Sequence, residues 1–258
     1  MHRFLILLLL VSSAAAAAAD ILDDLERLHE TDQHQQVLDT IEAELHTTSN
    51  RSKRAALLWR RARAQLTLAD YGHWRGDLSD REAIALLQTA EGYADEAIEL
   101  DSAAADPYFW KAATMGLRGQ IRGVLNSLFM ASDIRDWAEK ALERDPDHTE
   151  AHYLLGQLYR ELPRRPISFG DRDKAVANLR RSVELHEREY RGNVVQVRYF
   201  DLYTQLAEAL WQRNDRGDRD EAVTLIQEVV NDLQKISEPT VRERKDLESA
   251  SELLADWR

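Results

Sequence analysis

From residue 21 to the C-terminus, apolar residues return every three or four positions, and no strictly alternating run marks a strand. This period constrains the chain more than any other feature. A backbone that must present an apolar side chain to one face every 3.6 residues is a helix. Composition points the same way, with ten glycines and five prolines in 258 residues and an excess of Ala, Leu, Glu and Arg. The expected fold class is all-α. Cysteine is absent, which excludes disulfides, thiolate metal sites and a cysteine nucleophile. The formal charge of −12 is spread along the chain, and such a surface repels phosphate backbones, so no nucleic-acid partner is expected.

The N-terminus reads differently. MHRFLILLLLVSSAAAAAAD has a basic start at Arg3, an apolar run from Phe4 to Val11 and then small residues. That is the pattern of a cleavable signal peptide over residues 1–19, cut within Ala14–Ala19. The apolar run is too short to span a bilayer, and no lipobox cysteine follows it. The expected location is periplasmic or secreted, with no integral membrane span after cleavage. Residues 20–258 are expected to form a single domain.

The helices come in pairs. His152-x-x-Leu155-Gly156-x-x-Tyr159 precedes Ala175-x-x-x-Leu179-x-x-Ser182, which resembles the tetratricopeptide repeat. Small residues at Gly156, Ala175 and Ser182 let two antiparallel helices approach, while Leu155, Tyr159 and Leu179 fill the space between them. Weaker copies stay in phase: Tyr203, Leu206, Ala207 and Leu210 with Ala222, Ile226 and Val229; Tyr108, Ala112 and Met115 with Ile134, Ala138 and Ala141. Upstream, Ala90, Ala94 and Ala97 have Leu57 to Leu68 as their partner segment, and Leu25, Leu28, Val37 and Ile41 mark a degenerate pair. Pro239 to Trp257 reads as a terminal helix covering the last repeat. The architecture expected is one tetratricopeptide-type solenoid of four to five helical hairpins with a C-terminal capping helix.

The spacing is wider than that family's. Ala97, Ala141, Ser182 and Val229 occupy equivalent places, in steps of 44, 41 and 47 residues, where the plain repeat has about 34. The extra residues fall between the two helices of a pair, at 70–80, 116–133, 162–170 and 214–218, so lengthened inter-helix segments are expected along one edge. The segment GVLNSLFMASDIRDWAEKALERDPDHTEAHYLLGQLYRELPRRPISFGDRDKAVANLRRSVEL resembles a subgroup with a Pro-x-Ser-Phe-Gly turn. That subgroup includes the periplasmic T component of some TRAP transporters and the regulators of microtubule dynamics. The resemblance implies a helical scaffold that acts by binding.

Chemistry has little foothold. His148 and His152 lie one helical turn apart, but the pattern is not H-E-x-x-H and no third ligand is evident, so both read as core or capping residues. Asp215, Asp218 and Asp220 lack the sixth-place glycine and twelfth-place acid of a calcium loop and read as a turn with helix caps. No phosphate loop or nucleophile elbow is present. No enzyme activity, cofactor or metal is expected.

Binding surfaces are therefore the candidates. If the tetratricopeptide geometry carries over, Phe109 and Ala113, then Tyr153, Gln157 and Arg160, then Thr204, Glu208 and Trp211 face the groove, a mixed surface suited to a protein or peptide partner. A second candidate is the edge at ELPRRPISFGDRDKA. There Pro163 and Pro166 stop one helix and Gly170-Asp171 launches the next; alternatively Arg164, Arg165 and Phe169 project as contacts. Leu117, Ile121, Val124, Leu125, Leu128, Phe129 and Met130 share one helical face. They read as the core face of an elongated helix, with a docking helix or a cavity wall as the alternative. The function expected is an exported scaffold for protein–protein interaction. The alternative is a transport accessory that contacts a solute-binding protein or holds a small apolar ligand, signalled by a channel lined by Phe109, Trp110, Phe129 and Trp211. A homo-oligomer is left open.

Overall fold

The computed structural model describes residues 21–257; the expected leader and its cleavage site lie outside them. The described chain is a series of helices: α1 (21–30), α2 (His34–Thr47), α3 (Arg51–Trp74), α4 (Asp80–Leu100), α5 (Asp106–Arg122), α6 (Val124–Arg144), α7 (Thr149–Glu161), α8 (Arg172–Arg191), α9 (Phe200–Arg213), α10 (Asp218–Leu233) and α11 (Val241–Asp256). Among the described residues there is no strand, only an isolated bridge between Arg164 and Gly170.

Local sequence sets the helix starts. Asn50 accepts from the Lys53 amide at the head of α3, and Asp171 accepts from the Asp173 and Lys174 amides at the head of α8. Ser79 with Glu82, and Thr240 with Glu243, form reciprocal capping boxes for α4 and α11. Pro107 opens α5, where its missing amide hydrogen is not needed.

Hairpins α3–α4, α5–α6, α7–α8 and α9–α10 stack in sequence, each second helix packing on the next first helix. Small residues make the seams. Ala55, Ala62 and Ala69 recur at seven-residue steps on α3, as do Ala83, Ala90 and Ala97 on α4, and all are buried. At the α7–α8 seam a Cβ on Gly156 would lie 2.4 Å from Leu179 Cγ, so only glycine admits this approach. Successive first helices (α3, α5, α7, α9, α11) also touch one another, whereas the described second helices make no comparable contacts. The first helices therefore line the inner, shorter curve of an all-α helical solenoid.

The extra length of each repeat takes two forms. At 116–133 it is helix: α5 runs to Arg122 and α6 starts at Val124, with Gly123 alone between them. That glycine has φ +96, a conformation costly for any residue with a Cβ. The stretch at 70–80 likewise shrinks to a short turn at 75–79 after helix extension, whereas 214–217 remain a four-residue turn between α9 and α10. Residues 162–171 form a true ten-residue connection. Its neck is narrow, with the Gly170 amide donating to Pro163 O at 3.0 Å and the Asp171 amide to Tyr159 O at 2.9 Å. A Cβ on Gly170 would lie 1.9 Å from Leu162 O. The sequence pattern did not single out the connection at 192–199, which joins α8 to α9.

Candidate partner-binding surfaces

The inner face is occupied by its own polar groups. On α7 and α9, the Tyr153 hydroxyl donates to the Asp201 carboxylate and accepts from Gln157 Nε2 at 2.9 Å. Gln205 Nε2 reaches Asp201 Oδ1 at 3.3 Å, and Arg160 donates to Gln205 Oε1 at 2.7 Å while pairing with Glu208 at 2.9 Å. The expected groove residues Tyr153, Gln157, Arg160 and Glu208 are thus brought together, through Asp201 and Gln205. Burial, reinforced by Asp201, drives the Tyr153 phenol well above its ordinary pKa, so it stays a neutral donor. Phe109 and Trp211 are not part of this lattice. Phe109 is buried against Trp110 and His148, and Trp211 stacks on Trp257 at 4.6 Å, nearly parallel. Trp110 faces the Arg63 guanidinium and Phe129 is 82 % exposed, so Phe109, Trp110, Phe129 and Trp211 do not line a common channel.

The two ends of the solenoid meet. Asp32, in the left-handed turn between α1 and α2 (φ 57), accepts from the Arg242 amide at 3.2 Å and from Arg242 Nη2 at 3.1 Å. Arg242 also donates to His29 O, and its guanidinium lies 4.7 Å from the Tyr199 ring centroid. Lys245 pairs with Asp70 at the end of α3, and the Gln196 amide donates to Glu30. Burial would raise the Asp32 pKa, but the His34 contact and Arg242 override it and hold the carboxyl far below the usual range. Asp246, also on α11, is buried beside Asp201, and both burial and that like charge push its pKa well up. Its Oδ2 has no hydrogen-bond partner among the described residues. These groups tie the two ends together.

The outer edge at 162–171 is open. Three shallow clefts run into one another there. A cleft of about 360 Å³ is lined mainly by aliphatic groups of α5, α6 and α7, including Ile134, Leu154 and Leu158. Leu128 joins it to a second of about 500 Å³ under Ile167 and Phe169. Phe169 and Arg165 join that to a third, of about 480 Å³, among Arg135, Arg164, Arg172 and Lys174. Phe169 is held edge-on to Tyr159 at 5.9 Å and under the Arg135 guanidinium at 4.7 Å. Arg164 and Arg165 are exposed. Phe129 faces solvent, so the face read as core holds only in part. The exposed Ile167 (76 %) and the unpaired Arg172 carried no periodic signal that singled them out.

The two histidines serve structure: His148 caps α7 through the Ala151 amide, and His152 lies between Pro146 O and Asn178. Asp218 accepts two bonds from Arg213 and one from the Asp215 amide. Among the described residues no group of three His, Asp or Glu side chains is placed to hold a metal ion, and no helix is long and apolar enough to cross a membrane.

The model of the family "Regulator of microtubule dynamics protein 1-3" matches residues 21–163, more than half of the chain. The chain belongs to that family. It is similar to regulator of microtubule dynamics protein 1 of Bos taurus, 27 % identical over 137 residues that make up 53 % of this chain and 40 % of the relative. It is also similar to the protein of that name from Pongo abelii, 25 % identical over 183 residues, 65 % of this chain and 57 % of the relative. The chain therefore spans roughly half the length of these relatives. Membership in the regulator of microtubule dynamics family corrects one expectation. These relatives are eukaryotic proteins and not periplasmic ones, so the periplasmic or secreted location inferred from the leader falls. The family match covers α1 to α7 and stops at the neck of the 162–171 connection.

Proposed function

We propose that this chain is a non-enzymatic scaffold of the tetratricopeptide type, residues 20–258 forming one repeat domain that acts by binding a protein partner. The edge at 162–171 carries the reading. On the inner face Tyr153, Gln157, Arg160, Gln205 and Glu208 are engaged with one another and with Asp201, whereas this edge leaves Ile167 in solvent beside Arg165 and next to Arg164 and Arg172, which form no ion pair with a described residue. The relatives are named as regulators, not enzymes, and microtubule regulation is the first setting in which to seek the partner. The test is site-specific photo-crosslinking in cells, with the reactive group at Ile167 and, as control, at Val194 on another connection. The expected result is one identified protein at 167 that binds the purified chain directly. Equal capture at both positions, or no binding between purified proteins, would refute the proposal.

A further inference from the structure

The three edge clefts form one continuous trough with a graded lining. At the α5–α7 end its walls are Ile134, Leu154, Leu158 and Leu162. Midway, Leu128, Ile167 and Phe169 line it, and at the α8 end come Arg164, Arg165 and Arg172. None of these three arginines forms an ion pair with a described residue, although most arginines of the chain do. In a protein of net charge −12, three neighbouring unneutralised guanidiniums are an outlier. Like-charge repulsion among them is relieved by an anionic ligand.

Resting on the scaffold reading, we infer that this trough binds an extended protein segment in which aliphatic side chains lead into a run of carboxylates. The aliphatic side chains seat over Leu128 and Ile134, and the carboxylates meet Arg164, Arg165 and Arg172. Planar guanidiniums suit carboxylates, which they engage through two parallel hydrogen bonds. The ligand is a narrow segment and not a membrane or nucleic acid, because Asp171 and Asp173 flank the basic end and the rest of the surface is acidic. A broad polyanion laid across this edge would meet those carboxylates, whereas a single strand in the trough avoids them.

Fluorescence anisotropy with the full chain tests this, using a labelled peptide of leucines followed by glutamates. Control peptides replace the leucines with serine or the glutamates with lysine. The leucine–glutamate probe binds, and salt weakens it. R164E/R165E reduces its affinity about tenfold or more, and Ile167→Ser weakens it without affecting the serine–glutamate control. Both arginines are exposed, so an unchanged thermal midpoint will show that the variant is folded. Indifference to charge reversal, or equal binding of the lysine peptide, overturns the inference. So does arginine-dependent sedimentation with phosphatidylserine–phosphatidylcholine vesicles without peptide binding, which would make the ligand a lipid headgroup. A dimer that R164E/R165E dissociates would make it a second copy of the chain. A partner captured at Ile167 that lacks such a segment would leave the scaffold standing and refute this chemistry alone.

Discussion

Replacing Asp32 with Asn tests whether the solenoid is held closed by its ends. Asn keeps the left-handed turn, which Asp and Asn tolerate better than other residues, and removes only the charge. The Asp32 and Arg242 side chains are 9 % and 16 % exposed, so solvent screens the pair little. Breaking a buried pair from one side costs about 3–5 kcal/mol. Two features lower that figure here: the Asn carbonyl still accepts from the Arg242 amide, and the Tyr199 ring retains roughly 1 kcal/mol of cation–π attraction. The expected loss is about 2–3 kcal/mol in urea unfolding, with faster hydrogen exchange in α11. The wild-type contribution is present above the ordinary carboxyl pKa and fades as pH falls toward the depressed folded value, so the variant loses acid sensitivity. In D32N/R242M neither charge remains, and about 1 kcal/mol or more of the summed single losses is recovered. Additive single losses, or a D32N loss under about 0.5 kcal/mol, would sink the closure argument.

Other outcomes follow from the same contacts. Asp246 has a raised pKa, so its neutral form favours the fold and stability falls as pH rises through the folded value. D246N should stabilise the chain at pH 7 by about 1–3 kcal/mol and flatten that slope in urea titrations. His186 is buried, accepts from the Tyr199 amide at 3.1 Å, and burial pulls its pKa to about 4. NMR titration should find its ring neutral down to about pH 5, with its stabilising contribution present above about pH 6.5 and lost as pH falls toward 4. G170A places a methyl against Leu162 O, and the side of the neck that must give is backbone. It should cost about 2–3 kcal/mol and speed tryptic cleavage after Arg164.

The hairpins were legible because each local signal agreed with the next. Gly156 against Leu179, the alanines at seven-residue steps and the capping residues all name helix pairs from neighbouring positions alone. The extra length was legible as length but not as form. Residues 116–133 continue two helices across a single glycine, and repeat spacing does not distinguish a longer helix from a longer loop. Part of the inner face could be named from repeat geometry: Tyr153, Gln157, Arg160 and Glu208 sit together, while Asp201 and Gln205, on the same stripe of α9 as Glu208, went unnoticed. Phe109 and Trp211 occupy positions implied by that geometry, yet the first is buried against His148 and the second is stacked on Trp257.

The sequence by itself determined the all-α class, the pairing of helices and the launch of α8 at Gly170-Asp171. These depend on contacts within one hairpin, and the chain encodes them within some forty residues. Tertiary structure decided the rest. Asp32 and Arg242 are 210 positions apart, and no periodicity relates them. They meet only because small rotations accumulate over successive hairpins until the last helix returns to the first turn. The approach of neighbouring first helices likewise turned the expected groove into a lattice between α7 and α9, and the edge at 162–171 was left as the open surface.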